Sequence, residues 1–371
     1  MKQKGQIKFI PQDKNEFFNT LKVRVEEYFS KNNLSRNYNS KMVLKTIILI
    51  TVYIAPFLLV ILLNPPLWIS LLLWSIAGIG MAGVGMSVMH DANHGAYSNS
   101  KRMNNFIGLT LNICGGSSHN WKLQHNIMHH TYTNISGMDN DIDDKIGMRF
   151  SPHTKQYGIQ KLQFIYAFLL YGIVTLYWAT LKDFIQLRRY TKLGINPNSK
   201  SENFILLMKI ICNKILYFFV ALFLPIYFLN LPAGEIVLGF LLMHFISGVI
   251  LSVVFQMAHT VDGTSHPMPN EEGNIENSWA IHQMNTTVNF SRKSKWISWY
   301  LGGLNFQVEH HLFPKICHVH YPAISPIVKA TAEEFSVPYL DNTTFREALN
   351  SHLVTLKRFG SVPALDEILA G

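Results

Sequence analysis

Seven of the sixteen histidines in this chain fall into three short groups: His90-Asp-Ala-Asn-His94, His125-Asn-Ile-Met-His129-His130 and Gln307-Val-Glu-His310-His311. Residues four apart on an α-helix lie one turn above each other, so His90 with His94, and His125 with His129, aim two imidazoles at a common point. Adjacent histidines diverge by about 100° on a helix, so His129-His130 and His310-His311 suit two metal ions better than one. Imidazole suits iron, copper, zinc and nickel, and a histidine-rich set without thiolates does not look like a structural zinc site. The three cysteines, Cys114, Cys212 and Cys317, form no CxxC pair and read as free thiols. A single histidine beside an apolar segment is ordinarily a polar tip at the headgroup level; three spaced groups beside such segments point to function. His259, at the end of an apolar stretch, reads as a further ligand, and His282 as a ligand or the support of one.

These groups have to be positioned by apolar elements. Of 371 residues 48% are hydrophobic and 15% charged, against about 25% charged in an ordinary soluble domain. Residues 42–63 and 67–89 are long enough to cross a hydrocarbon core of about 30 Å and are joined by Asn64-Pro65-Pro66. Residues 215–231 and 236–258 form a second hairpin around Pro232-Ala233-Gly234. The glycines Gly78, Gly80, Gly83 and Gly85 offer small-residue contact surfaces to neighbouring helices. The first 41 residues are polar and basic (Lys2, Lys4, Lys8, Lys14, Lys22, Arg24, Lys31, Arg36, Lys41), carry no signal-peptide pattern, and read as a cytosolic N-terminal segment.

Neither hairpin turn carries a Lys or Arg, whereas the stretch between the hairpins contains Lys101, Arg102, Lys122, Lys145, Arg149, Lys155, Lys161, Lys182, Arg188 and Arg189 among others. The positive-inside rule then places that stretch, the N-terminus and the tail on the cytoplasmic side. Phe164 to Leu181 is apolar enough to be a fifth span, but basic residues flank both its ends, so it reads as an interfacial or re-entrant helix, as does Asn105 to Gly116. The expected fold is all-α and integral to the membrane: four transmembrane helices in two hairpins, interfacial helices, and a cytosolic helical cap (90–212 and 259–371) holding a two-metal site. Residues 42–371 read as a single domain. The net charge of +9 fits nucleic acid, an anionic membrane face or an acidic partner; the spans leave the membrane and an acidic protein, with no nucleic acid expected.

The motifs HDANH, HNIMHH and QVEHH, in this order and split by a membrane hairpin, resemble the three histidine boxes of membrane fatty acid desaturases. A third box that begins with Gln307 resembles the front-end group, which acts between an existing double bond and the carboxyl end. HHTYTN from His129, NFQVEHHLFP from Asn305, and Trp279 with Gln283, Thr286 and Asn289 are similar to bacterial linoleoyl-CoA or acyl-CoA desaturases. The likeness runs from about Val43 to Tyr321.

It implies that His90, His94, His125, His129, His130, His310 and His311 hold two iron ions, with His259 matching a histidine at the equivalent helix end. Gln307 stands where relatives have a histidine, and is expected to coordinate weakly or orient a water; Asn289 and His282 are candidates to fill or support the remaining position. O2 is the implied co-substrate, a fatty acyl-CoA or membrane lipid the substrate, and a cis double bond the product. No HPGG haem motif is present, so electrons are expected from a separate ferredoxin or cytochrome b5, which the basic cytosolic face would steer. The expected location is the bacterial inner membrane, with the site facing the cytoplasm. Regioselectivity calls for a narrow apolar tunnel, which Trp279, Trp296, Trp299 and Phe306 would line; an interfacial belt is the alternative for Trp296 and Trp299. Asp139, Asp141, Asp143 and Asp144 lack the spacing of an EF-hand and read as a solvated loop, with contact to the iron-ligand shell as the alternative because the second box is close. A hydroxylase or ketolase on the same scaffold is the alternative chemistry. A non-catalytic metal-binding or transport membrane protein is the alternative from another class; a transporter is disfavoured because its ligands would lie near the bilayer midplane.

Overall fold

The computed structural model describes residues 7–10, 16–143 and 147–363; Lys2, Lys4, Lys14, Asp144 and Lys145 lie outside them. The main helices, in chain order, are α1 (Phe17–Lys31), α2 (Ser40–Leu63), α3 (Leu67–His94), α4 (Gly158–Lys192), α5 (Lys200–Phe228), α6 (Ala233–His259), α7 (Trp279–Thr286), α8 (Gln307–Leu312), α9 (Tyr321–Glu334) and α10 (Phe345–Ser361). Five of them, α2 to α6, are long and apolar enough to cross a membrane by length and composition. Three of these helices differ in extent from the sequence reading. The stretch around Phe164–Leu181 belongs to a helix of 35 residues, long and apolar enough by length and composition to cross a membrane. The segment expected at 215–231 starts at Lys200, where Ser199 and Glu202 form a reciprocal cap, and ends at Phe228. The segment expected to end at residue 89 continues through His94, so the first histidine pair rides on the span itself.

The chain divides into two compact units: Met1–Asn37, Lys122–Ala167 and Val254–Gly371 in the first, Tyr38–Trp121 and Phe168–Val253 in the second. In the second unit, Asn64 in the left-handed conformation (φ 43°) ends α2 and lets α3 fold back along it. The two helices touch so closely that a Cβ on Gly80 would lie 2.4 Å from the Tyr53 nitrogen, which is why this position carries no side chain. A Cβ on Gly248 of α6 would likewise lie 2.5 Å from the Tyr171 carbonyl of α4. Lys214, inside α5, is buried; its ammonium group donates to the Gly115 and Trp178 carbonyls at 2.8 and 2.7 Å and pairs with Asp183 at 2.5 Å.

In the first unit, part of the N-terminal stretch that reads as a polar lead-in is an amphipathic helix. Phe17, Leu21, Val25 and Phe29 recur every four residues on one face of α1 and are buried. They share a core with Ala280 and Met284 of α7, Val308 and Leu312 of α8, and Ile324 and Val328 of α9. The helices that carry the second half of the chemistry are thus packed on one apolar layer. Two short parallel strand pairs complete this unit: β1 (Lys8–Phe9) with β2 (Asn274–Ile275), and β3 (Asn289–Phe290) with β4 (Asp341–Asn342).

Candidate metal centre

The second histidine box does not wind as an α-helix. Lys122–His129 is a π-helix that passes into an α-helical turn at His130–Tyr132. The wider turn brings residues five apart together, so His125 meets His130 (Nε2 to Nε2, 3.3 Å), while the His125 and His129 rings lie stacked with centroids 5.1 Å apart. The α-helical pairing of His125 with His129 at a common point is corrected accordingly. Divergence of adjacent histidines holds: His129 and His130 join different groups.

In one group, His129, His259 and His311 are buried, with ring centroids 4.7 to 4.9 Å apart and ligand atoms within 4.8 Å of one another. In the other, His130 Nε2 lies 3.0 Å from His310 Nε2 and 3.3 Å from His125 Nε2. Thus α8 gives His311 to the first group and His310 to the contact with His125 and His130, while the ligand atoms of His130, His310 and His311 also lie within 4.8 Å of one another. His90 and His94, in the second unit, present rings 4.7 Å apart on α3, both edge-on to Trp121 at 5.6 and 5.5 Å. Both are buried.

The hydrogen bonds assign the tautomers of the first group. His259 Nδ1 lies 3.2 Å from the Thr286 carbonyl oxygen, His311 Nδ1 lies 2.7 Å from Gln283 Oε1, and His129 Nδ1 lies 3.0 Å from Asp139 Oδ2. Each acceptor requires the hydrogen on Nδ1, which leaves Nε2 as a lone pair. The Gln307 amide nitrogen donates to the Nε2 atoms of His259 and His311 at 2.9 and 3.2 Å, agreeing with that assignment. Its carbonyl oxygen is buried without a hydrogen-bond partner. Burial, reinforced by the neighbouring imidazoles, holds His311 well below the ordinary histidine range, so it is neutral. Buried, neutral imidazoles with their lone pairs converging beside an unsatisfied amide oxygen are a donor set that fits a metal cation.

Other sequence candidates lie elsewhere. His282 joins none of the histidine groups among the described residues; its ring packs against Phe9, with centroids 5.0 Å apart, and burial pushes its pKa down to about 4. Asn289 is committed elsewhere: its Oδ1 accepts the Val308 N–H at 2.9 Å and its Nδ2 reaches Glu309 and the Tyr339 hydroxyl, both at 2.8 Å. Glu309 is buried and also accepts from Tyr339 at 2.7 Å; burial, outweighing these bonds, raises its pKa. Trp279 is no bare apolar wall, since its Nε1 donates to the His130 carbonyl at 3.0 Å. Trp296 is 84% exposed, which suits an interfacial position better than a tunnel lining.

Asp139 follows the alternative reading of the acidic loop, contact with the histidines of the second box. It is fully buried rather than solvated and accepts from His129 and from the backbone N–H groups of Asn134 and Asp141, both at 2.9 Å. Burial alone would push its carboxyl up; His129 and the two amides together hold it below the usual range. Gln283, named only within the family resemblance, accepts from His311, and Tyr321, which lies 3.3 Å from His310 Nδ1, had no role in the sequence reading. The only signal was the nearness of Asp139 to the second box and of Gln283 to Trp279.

The chain thus combines buried histidine groups that could hold a metal ion with five helices long and apolar enough to cross a membrane. The family model "Fatty acid desaturase" matches residues 29–343: the chain belongs to the fatty acid desaturase family and is an oxidoreductase integral to the membrane. It is similar to the sn-1 linoleoyl-lipid 6-desaturase of Synechocystis sp., with 34% identity over 357 residues covering 95% of this chain and 98% of the relative. An acyl-lipid (8-3)-desaturase of Physcomitrium patens is 34% identical, covering 96% of this chain and 74% of the relative. A probable Delta(5) fatty acid desaturase C of Dictyostelium discoideum is 31% identical over 94% of this chain and 77% of its own length.

Proposed function

We propose that this protein is an O2-dependent, di-iron front-end desaturase acting on an acyl chain carried by a membrane lipid. The observation that carries the reading is the gathering of buried histidines: the ligand atoms of His129, His259 and His311 lie within 4.8 Å of one another, and His130 Nε2 meets both His125 and His310. The relatives whose names specify acyl-lipid and 6- or (8-3)-desaturation favour a lipid carrier over CoA. Iron, when bound, supplies reductive activation of O2. The protein's own residues hold the imidazoles in one tautomer, exclude water by burial, and keep Gln307 in reach as an oxygen donor or as the partner of a bound water. The balanced reaction removes two hydrogens from adjacent methylenes and takes two electrons and two protons from outside, giving a cis double bond and two waters.

The basic residues flanking α4 at both ends support an interfacial placement, leaving α2, α3, α5 and α6 as the spans of one membrane domain from 42 to 371. The N-terminus, the histidines and the tail then share the cytoplasmic side of a bacterial inner membrane, where a ferredoxin or cytochrome b5 reduces the site. The test is gas chromatography with mass spectrometry of fatty acids from aerated bacteria co-expressing the chain with a ferredoxin and its reductase and fed linoleate, beside His310→Ala. A new polyunsaturated acid, with its added double bond toward the carboxyl end and absent from the variant, is expected. A hydroxylated product would move the assignment to the sister chemistry, and no product at all would contradict it.

A further inference from the structure

The three imidazoles of the His129, His259 and His311 group are held by different acceptors. His259 is fixed by a backbone carbonyl and His311 by a neutral side-chain amide, whereas His129 is fixed by a buried carboxylate. A charged acceptor makes a stronger bond than a neutral one and increases the electron density that the ring offers at its far nitrogen. The carboxylate is itself held from behind. Asp139 Oδ2 also accepts the Asn134 N–H and Oδ1 accepts the Asp141 N–H, so it cannot swing away from the imidazole without losing both. The same loop grips a second member of the group: Asn134, in the left-handed conformation with φ 59°, donates from Nδ2 to the His259 carbonyl at 3.0 Å and to the Ser265 carbonyl at 3.2 Å. One turn of chain, Asn134 to Asp141, thus sets the ring of one histidine and the backbone of another.

We infer that Asp139 is a positioning residue for one of the two metal ions: through its hydrogen bond it fixes His129 with Nε2 bare, and it lends the His129, His259 and His311 group a buried negative charge. This inference rests on the di-iron reading above. Replacing the carboxylate by an amide keeps the size and removes the charge, and lets an NH2 group face Nδ1, which favours the wrong tautomer. A role confined to bracing the loop would lower stability without changing the metal.

The experiment uses the full-length protein in detergent, loaded with 57Fe. Chelator competition measures the affinity of each iron and Mössbauer spectroscopy its environment, for wild type, Asp139→Asn and Asp141→Asn; thermal unfolding of the metal-free proteins checks the fold. In Asp139→Asn one iron is expected to bind about 10–100-fold more weakly, with an altered quadrupole splitting for that iron alone. Asp141→Asn, which keeps the backbone N–H that holds Asp139 and changes a carboxylate 3.9 Å from His129 Nδ1, is expected to weaken that iron less than Asp139→Asn does. If Asp139→Asn does not accumulate, Asp139→Glu carries the test, because it keeps the charge but displaces the oxygen and is expected to weaken the same iron. Two irons with wild-type affinity and spectra in the folded Asp139 variant would overturn the inference while leaving the di-iron reading intact. A wild-type protein that binds no iron would overturn both.

Discussion

The second and third histidine boxes each end in a His-His pair, and each pair is split between the two groups, but by different means. In the second box the split depends on winding: the π-helix Lys122–His129 sets His125 against His130 and sends His129 to His259 and His311. In the third box an α-helix of six residues suffices, because its register is held from outside. Asn289 takes the Val308 N–H and the Glu309 carboxylate, and Tyr339 closes the other side of that carboxylate. One box is shaped by its own backbone, the other by a clamp from neighbouring segments. Adjacent histidines diverge on any helix; what each diverging ring meets depends on winding in the first case and on anchoring in the second.

Breaking either box at its ligands is expected to have the largest effect. His129→Ala and His310→Ala each remove a histidine from a different group, and product formation measured by mass spectrometry is expected to fall to background in both. Breaking the clamp is expected to cost less and to single out the third box. Asn289→Ala leaves the Val308 N–H uncapped and Glu309 short of a donor, at about 1–3 kcal/mol of stability; chemical denaturation should show that loss, with activity reduced but present. His282 joins neither histidine group among the described residues, so iron analysis of His282→Gln is expected to find the wild-type content.

The smallest effect concerns a histidine remote from both boxes. His352 donates from Nδ1 to the Thr260 carbonyl at 2.8 Å, and burial lowers its pKa from 6.5 to about 4. The unfolded chain therefore binds a proton that the folded chain refuses, so this residue costs stability as pH falls from about 6.5 towards 4. Thermal unfolding of His352→Gln is expected to fall less steeply than wild type across that window.

The boxes, the apolar helices and the separation of adjacent histidines were legible because spacing along a helix and runs of apolar residues are local properties. His259 was legible from its place at a helix end. The π-winding was not, since nothing in Lys-Leu-Gln-His-Asn-Ile-Met-His distinguishes a turn of one width from another. Asp139 read as solvated because acidic clusters usually are; its burial follows from a left-handed turn at Asn134 and from amides that only the folded loop aligns. Asn289 read as a candidate to fill or support a metal position; that it holds the third box was not legible because its three partners, Val308, Glu309 and Tyr339, lie 19 to 50 residues away. The amphipathic face of α1 was present in the sequence but was masked by its many basic residues.

The most direct test of the account is the iron-to-protein ratio of the purified protein, by inductively coupled plasma mass spectrometry, for wild type, His129→Ala and His130→Ala. Two irons in wild type and about one in each variant, with a different Mössbauer signal lost from each, is the result that two histidine groups predict. Wild type without iron, or variants that lose the same signal, would contradict it.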